Sequence, residues 1–312
     1  MAKHNLSLLI AIVLALCFFI ITMAFTALAG TGIYPFLSST SNISDEFETE
    51  ITPAGWTFTI WSIIYTFLAL VLVYLFSGIF RKNVYGYVYC SPAVLPHGFY
   101  VAWCLNMGLN TGWLLLWDRK LIPAALAFLI LIALTNYIMI FFSCFGLHNF
   151  GAWLNKYHKV DLWLHRVLIQ NGIAIYATWT TIASLVNLAV LLKYNANMSQ
   201  ADAATVSLAI LTVVLFVWFM LENTLLDKHV RFILTIYPVV IWAVTGVFTK
   251  NGEVSSRNNT FTVSLLAIGC ILCAARLFLV IWKQIKQPFY KDVNTEAISP
   301  MEIAEKQKRI FK

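Results

Sequence analysis

The chain has 312 residues, 60% of them hydrophobic and 11% charged, with a mean hydropathy of +0.79 and a formal net charge of +7. Soluble domains carry charge on about a quarter of their residues, so this composition excludes a soluble domain and predicts an integral membrane protein. The positive excess invites a nucleic-acid partner, but its distribution along the chain excludes that reading and assigns the charge to membrane topology.

Eight apolar runs reach bilayer-spanning length, at approximately 6–29, 56–80, 97–117, 121–143, 166–192, 204–222, 230–249 and 261–282. Backbone groups in hydrocarbon need partners within their own segment, so each run is predicted to be a helix. The expected fold is an all-α polytopic bundle of eight transmembrane helices with both termini cytosolic. With the N-terminus inside, fifteen Lys and Arg fall on inner segments and five on outer loops, the positive-inside pattern. Three Asn-x-Ser/Thr acceptors, Asn42, Asn197 and Asn258, all fall in predicted outer loops. These candidate glycosylation sites favour the secretory pathway or plasma membrane over the mitochondrial outer membrane. No cysteine lies in an outer loop, so no disulfide framework is expected. Cys270 and Cys273 have the spacing of a redox or metal pair, but within an apolar helix they read as small-residue packing.

The first run ends in Ala27-Leu28-Ala29-Gly30, similar to a signal-peptide cleavage site, yet it exceeds a signal core and is expected to be retained. Loop 31–53 follows, with Asp45, Glu46, Glu48 and Glu50 and no Lys or Arg. It is read as a solvated acidic loop or as a lid over what the helices enclose. The second run opens with Pro53, Trp56 and Phe58, then Trp61 and Tyr65 one helical turn apart. In the third run Trp103, Asn106, Asn110, Trp113 and Trp117 recur at spacings of three and four, one continuous stripe. An amide facing lipid is costly, so this stripe faces protein or a cavity; helix-to-helix hydrogen bonding and pocket lining both account for it. Residues 147–165 are expected to form an interfacial segment, with Asp161 and His165 as a surface pair. The fifth run repeats an aromatic and amide stripe with Tyr176, Trp179, Ala183 and Asn187. Helix directions are expected to bring the three faces together in the outer half of the bilayer, under the acidic loop.

The ordered set Pro53, Trp56, Phe58, Trp61 and Tyr65, then Leu109-Asn110-Thr111-Gly112-Trp113, then Tyr176, Trp179, Ala183 and Asn187 resembles the TspO/MBR family of tryptophan-rich sensory and translocator proteins. The likeness covers residues 1–192, a five-helix unit; the Gly-Pro of the family's second helix is absent, and Ile175 precedes Tyr176 where Pro is usual. The resemblance implies a pocket for tetrapyrroles, sterols or aromatic ligands. Its candidate lining is Trp61, Tyr65, Asn110, Trp113, Tyr176, Trp179 and Asn187, to which the helical stripe adds Asn106 and Trp117.

Residues 193–283 then read as three additional transmembrane helices and 284–312 as a cytosolic basic tail. Glu222 is expected to be hydrated at a helix end, Pro238 to kink the seventh helix, and Arg276 to snorkel to the interface. No fingerprint of a catalytic site, cofactor or metal is present in the sequence. The expected function is a sensor or carrier of a flat apolar ligand. A transporter using Asn106, Asn136 and Asn171, or a tetrapyrrole-modifying enzyme, are the alternatives, and the partners are the lipid bilayer, the ligand and a possible homo-oligomer. The acidic loop is expected to disfavour a dianionic ligand.

Overall fold

A computed structural model describes residues 4–252, 256–290, 299–302 and 304–305. The first helix, α1 (Leu6–Thr31), is capped by the Asn5 side chain, which accepts from the Leu8 amide. It ends at Gly32, whose φ of 69° is left-handed; a Cβ there would stand 2.9 Å from the Ser39 nitrogen. The chain turns back through a short helix, α2 (Thr40–Glu46), and a 3-10 turn at Gly55–Thr59 into α3 (Ile60–Phe80). A two-residue hairpin, β1 (Lys82–Asn83) and β2 (Gly86–Tyr87), closes the opposite end and leads into α4 (His97–Asp118).

Next come α5 (Ile122–Tyr157), α6 (Lys159–Leu164), a π-helical turn at His165–Gln170, and α7 (Asn171–Tyr194). The interfacial segment expected at 147–165 is therefore helical throughout, apart from His158. At 36 residues α5 is about 54 Å long by its rise, against about 30 Å of bilayer core. The remaining elements are α8 (Gln200–Asn223), α9 (Asp227–Val230), α10 (Ile236–Asn251) and α11 (Arg257–Lys286).

Among the described residues, six helical segments are long and apolar enough to cross a membrane: Leu6–Thr31, Gly55–Phe80, Ile122–Tyr157, Lys159–Tyr194, Gln200–Asn223 and Arg257–Lys286. The third and seventh predicted runs are helices too. However, α4 is diluted by its amides, and α10 has only 16 residues. Pro238 lies in the first turn of α10, where its missing N–H removes no helical hydrogen bond, so no kink is needed.

The first five long helices close a ring: α1 packs on α3 and α4, α4 on α5, α5 on α7, and α7 on α3. A second layer covers α7, with α8 and α10 against it and α11 behind them. Asn171 joins the layers. Its Nδ2 donates to the carbonyls of Arg166 and Phe232 at 2.8 and 2.7 Å, and its Oδ1 accepts from the Leu234 amide at 2.8 Å. The bond to Arg166 takes up a carbonyl at the π turn, so this amide fastens helices instead of lining a path.

Two charged side chains contradict the sequence expectation. Arg276 is 1% exposed and Glu222 0%. The Arg276 Nε lies 3.3 Å from Glu222 Oε2, and its guanidinium donates to Asn223 Oδ1 and to the carbonyls of Glu222, Val230 and Arg231. These carbonyls belong to the ends of α8 and α9, which have no helical partner. Glu222 also accepts from Trp218 Nε1 at 3.0 Å and Tyr237 Oη at 2.5 Å. Snorkelling and hydration are replaced by an internal pair because three helix ends converge there with polar groups to satisfy. Likewise Asp161 and His165 are buried, not a surface pair: Tyr74 Oη donates to Asp161 at 3.1 Å and sits 3.2 Å from His165 Nδ1.

Candidate functional site

Three helices meet at the loop end of the ring. The stripe of α4 is buried along its length, and at its middle Asn110 Nδ2 donates to Tyr65 Oη of α3 and Tyr176 Oη of α7, each at 2.9 Å. Tyr65 Oη also lies 3.1 Å from Thr26 Oγ1 of α1. One amide thereby ties three walls together and forms a floor.

Above it the aromatic rings form a ladder. Trp61 stacks on Tyr65 and Trp113 with centroids 5.7 and 6.2 Å apart, and Trp113 stacks on Trp117 at 6.2 Å. Trp179 meets Trp61 edge-on at 6.4 Å, and Phe58 meets Trp179 at 6.2 Å. Offset and edge-on arrangements are those that the ring quadrupole favours. Beside the ladder runs a narrow cavity enclosing about 960 Å³ of space free of protein atoms, counting its open side. Trp61, Trp113, Trp117, Trp179 and Asn187 line it.

Thus five of the nine residues expected from sequence line the cavity, whereas Tyr65, Asn110 and Tyr176 form the polar floor beneath the aromatic ladder and do not line the cavity itself. Asn106 does not reach it: its Nδ2 donates to Ile132 O and Thr135 Oγ1 of α5, at 3.0 and 2.8 Å. Three lining side chains keep buried polar atoms without a hydrogen bond among the described residues: Trp113 Nε1, Trp179 Nε1 and Asn187 Oδ1. Two donors and an acceptor in a mostly apolar slot can orient a ligand.

Sequence reasoning missed one wall of the enclosure. Leu208 and Leu211 of α8, Ala243, Val244 and Val247 of α10, and Thr262 of α11 form the far wall. The signal was present as Ala243 and Gly246 at a spacing of three. A Cβ on Gly246 would overlap Thr57 Cγ2, so only glycine lets the 3-10 turn lie against α10. There the Ala54 amide donates to Gly246 O at 2.9 Å and Trp242 Nε1 to Thr57 O at 3.1 Å.

The acidic loop roofs the cavity and is not a free anionic surface. Lys250 pairs with Glu48 and Asp45 at 2.7 and 3.2 Å, and Lys120 pairs with Glu46 at 2.6 Å. Lys193 Nζ donates to Glu48 O at 2.6 Å, and Asn258 Nδ2 to Glu50 Oε2 at 2.6 Å. Asp118, buried at the end of α4, accepts from the Leu37 and Ser38 amides and from Arg119. The expected repulsion of dianions is thereby reduced: Lys120 and Lys250 pair with three of the loop's four acids, while Glu50 meets a neutral amide and Lys193 a backbone carbonyl.

The same contacts correct one glycosylation site. Asn258 is 1% exposed, with its amide nitrogen committed to Glu50 and to Ala201 O at 2.8 Å, so no glycan fits on it. Asn42 and Asn197 are exposed. A further sequon, Asn5-Leu6-Ser7, lies at the opposite end and caps α1.

A ring of helices holding an aromatic and amide slot beneath a clasped loop defines a multi-pass helical membrane protein with an internal cavity. The chain belongs to the TSPO-like protein family, whose profile matches residues 11–282 and so extends through the second layer of helices. No curated protein and no solved structure matches it.

Proposed function

We propose that the protein is a membrane sensor or carrier that holds a flat, largely apolar small molecule in the cavity between the aromatic ladder and the second helical layer. The observation that carries this reading is the set of buried atoms on Trp113, Trp179 and Asn187 that are unpaired among the described residues, in a mostly apolar, indole-lined slot. Family membership supports the ligand class, tetrapyrrole, sterol or aromatic. In the proposed topology all eight long helices cross the bilayer and the basic end is cytosolic. The charge bias and the exposed Asn42 and Asn197 at the other end support that orientation. The membrane so implied belongs to the secretory pathway or cell surface.

The test is titration of the purified chain with a porphyrin, sterol and aromatic panel while tryptophan fluorescence is read. Saturable quenching that weakens in Trp113→Phe supports the reading; no saturable change across the panel removes it.

A further inference from the structure

At the basic end, far from the aromatic cavity, a second cavity of about 1190 Å³, counting its open mouth, lies where α5, the π turn and the α9–α10 connection meet residues 287–290. Its cationic or potentially cationic lining is His148, Arg166, Lys228, His229 and Arg231, and no carboxylate lines it among the described residues. Asp227 stands behind it, bonded to Arg231 at 2.5 and 3.1 Å and to Lys283 at 3.1 Å. Four full cations thus face one carboxylate, which is already engaged.

Arg166 is the informative member. It is 5% exposed, yet it has no acidic partner among the described residues and only a long bond of 3.5 Å to Tyr290 Oη. Its guanidinium lies 4.0 Å from the Phe232 centroid, 5.1 Å from that of Trp163 and 5.9 Å from that of Phe289. Rings hold the planar cation in place but, apart from that long bond, leave its N–H donors unused among the described residues. A buried guanidinium without a counter-ion is costly, and planar forked donors match a phosphate. The rings and the added cations fix its position and the sign of what it takes.

We infer that this cavity binds a phosphate group, with Arg166 at its base and Lys228 at its rim. An anionic lipid headgroup and free phosphate share this chemistry. The surroundings favour the lipid: Phe141, Phe145 and His148 fall on one face of α5 at spacings of four and three, all exposed. That apolar stripe leads to the cavity as an acyl chain would lie. Basic pockets between helices at a membrane surface are suited to headgroups of this kind.

The experiment uses the full chain in detergent micelles and measures binding of dioctanoyl phosphatidic acid, dioctanoyl phosphatidylcholine and sodium phosphate by calorimetry. One phosphatidic acid per chain should bind saturably and phosphatidylcholine should not. Phosphate binding far more weakly identifies the lipid as the source, whereas phosphate binding as tightly supports the site with a water-borne ligand. Lys228→Gln, on an exposed side chain, should weaken binding about fivefold, and Arg166→Gln should abolish it. Equal affinity in wild type and both variants, with melting temperatures unchanged, would overturn the assignment. So would the absence of saturable binding by either phosphate compound, or equal binding of phosphatidylcholine.

Discussion

Trp113 and Asn110 lie one turn apart on α4, and their surroundings give them different roles. Trp113 keeps its indole N–H unpaired in the cavity wall, so Trp113→Phe should cost ligand affinity about 1 kcal/mol and leave the melting temperature close to wild type. Asn110 bonds two tyrosine hydroxyls, so Asn110→Leu should destabilise the fold by about 1–3 kcal/mol, read as earlier thermal unfolding. If Asn110→Leu melts like wild type, the floor is not held by this amide. The stripe that carries both was legible as a 3.6-residue period. Which amide ties α3 and α7 and which ties α5 was not, because Asn106 and Asn110 differ only in the partner opposite them. Burial of Asn258 was equally invisible, since a sequon does not record what packs over it. Asn42→Gln and Asn197→Gln should each remove a glycan-dependent gel shift in secretory expression, and Asn258→Gln should remove none.

At the scale of elements, the long apolar runs announced helices, and the places where prediction and structure differ are helix ends. Glu222 looked interfacial because it lies at the end of α8, and Arg276 because a long cationic side chain can reach toward an interface from within a helix; their burial depends on α8, α9 and α11 converging. Breaking such a pair from one side leaves a buried charge, at a cost of about 3–5 kcal/mol. Arg276→Met and Glu222→Gln should therefore each lower stability strongly. The double variant should recover part of the loss, and a double-mutant cycle on thermal or denaturant melting measures the coupling. Additive losses would mean that the carbonyls of α8 and α9, not Glu222, hold the arginine. The close approach of the 3-10 turn to α10 offers a separate test. Gly246→Val should push Thr57 away, destabilise the chain and weaken any ligand bound in the cavity, whereas Gly30→Ala, with open space around it, should do neither.

For the whole molecule, the five-helix ring was recoverable from the ordered motifs on three of its helices. The second layer carries no comparable stripe, and its contribution to the cavity depends on contacts across more than a hundred residues of chain. The charge state of the roof was hidden for the same reason: Lys193 and Lys250 reach loop 31–53 only after folding. With three of its four acids paired to Lys120 and Lys250, the mouth should discriminate only modestly between a porphyrin dicarboxylate and its dimethyl ester. Changing all four acids to Asn or Gln should expose the lysines and tighten the free acid relative to the ester, especially at low salt. A strong preference of the wild type for the ester would mean that the pairs do not neutralise the loop.

With α10 and α8 closing the flank beside α7, the roof loop is the natural gate between the cavity and water. Exposed ion pairs of the kind made by Lys120 and Lys250 contribute only about 0–1 kcal/mol each and are weakened by salt. Opening should then limit how fast a ligand comes and goes, while the indoles and amides beneath set how tightly it is held. Raising ionic strength should speed both association and dissociation of an uncharged ligand and leave the equilibrium affinity nearly constant. Stopped-flow quenching over a salt series would reveal that signature of a gate, and rates that ignore salt would locate the entrance elsewhere.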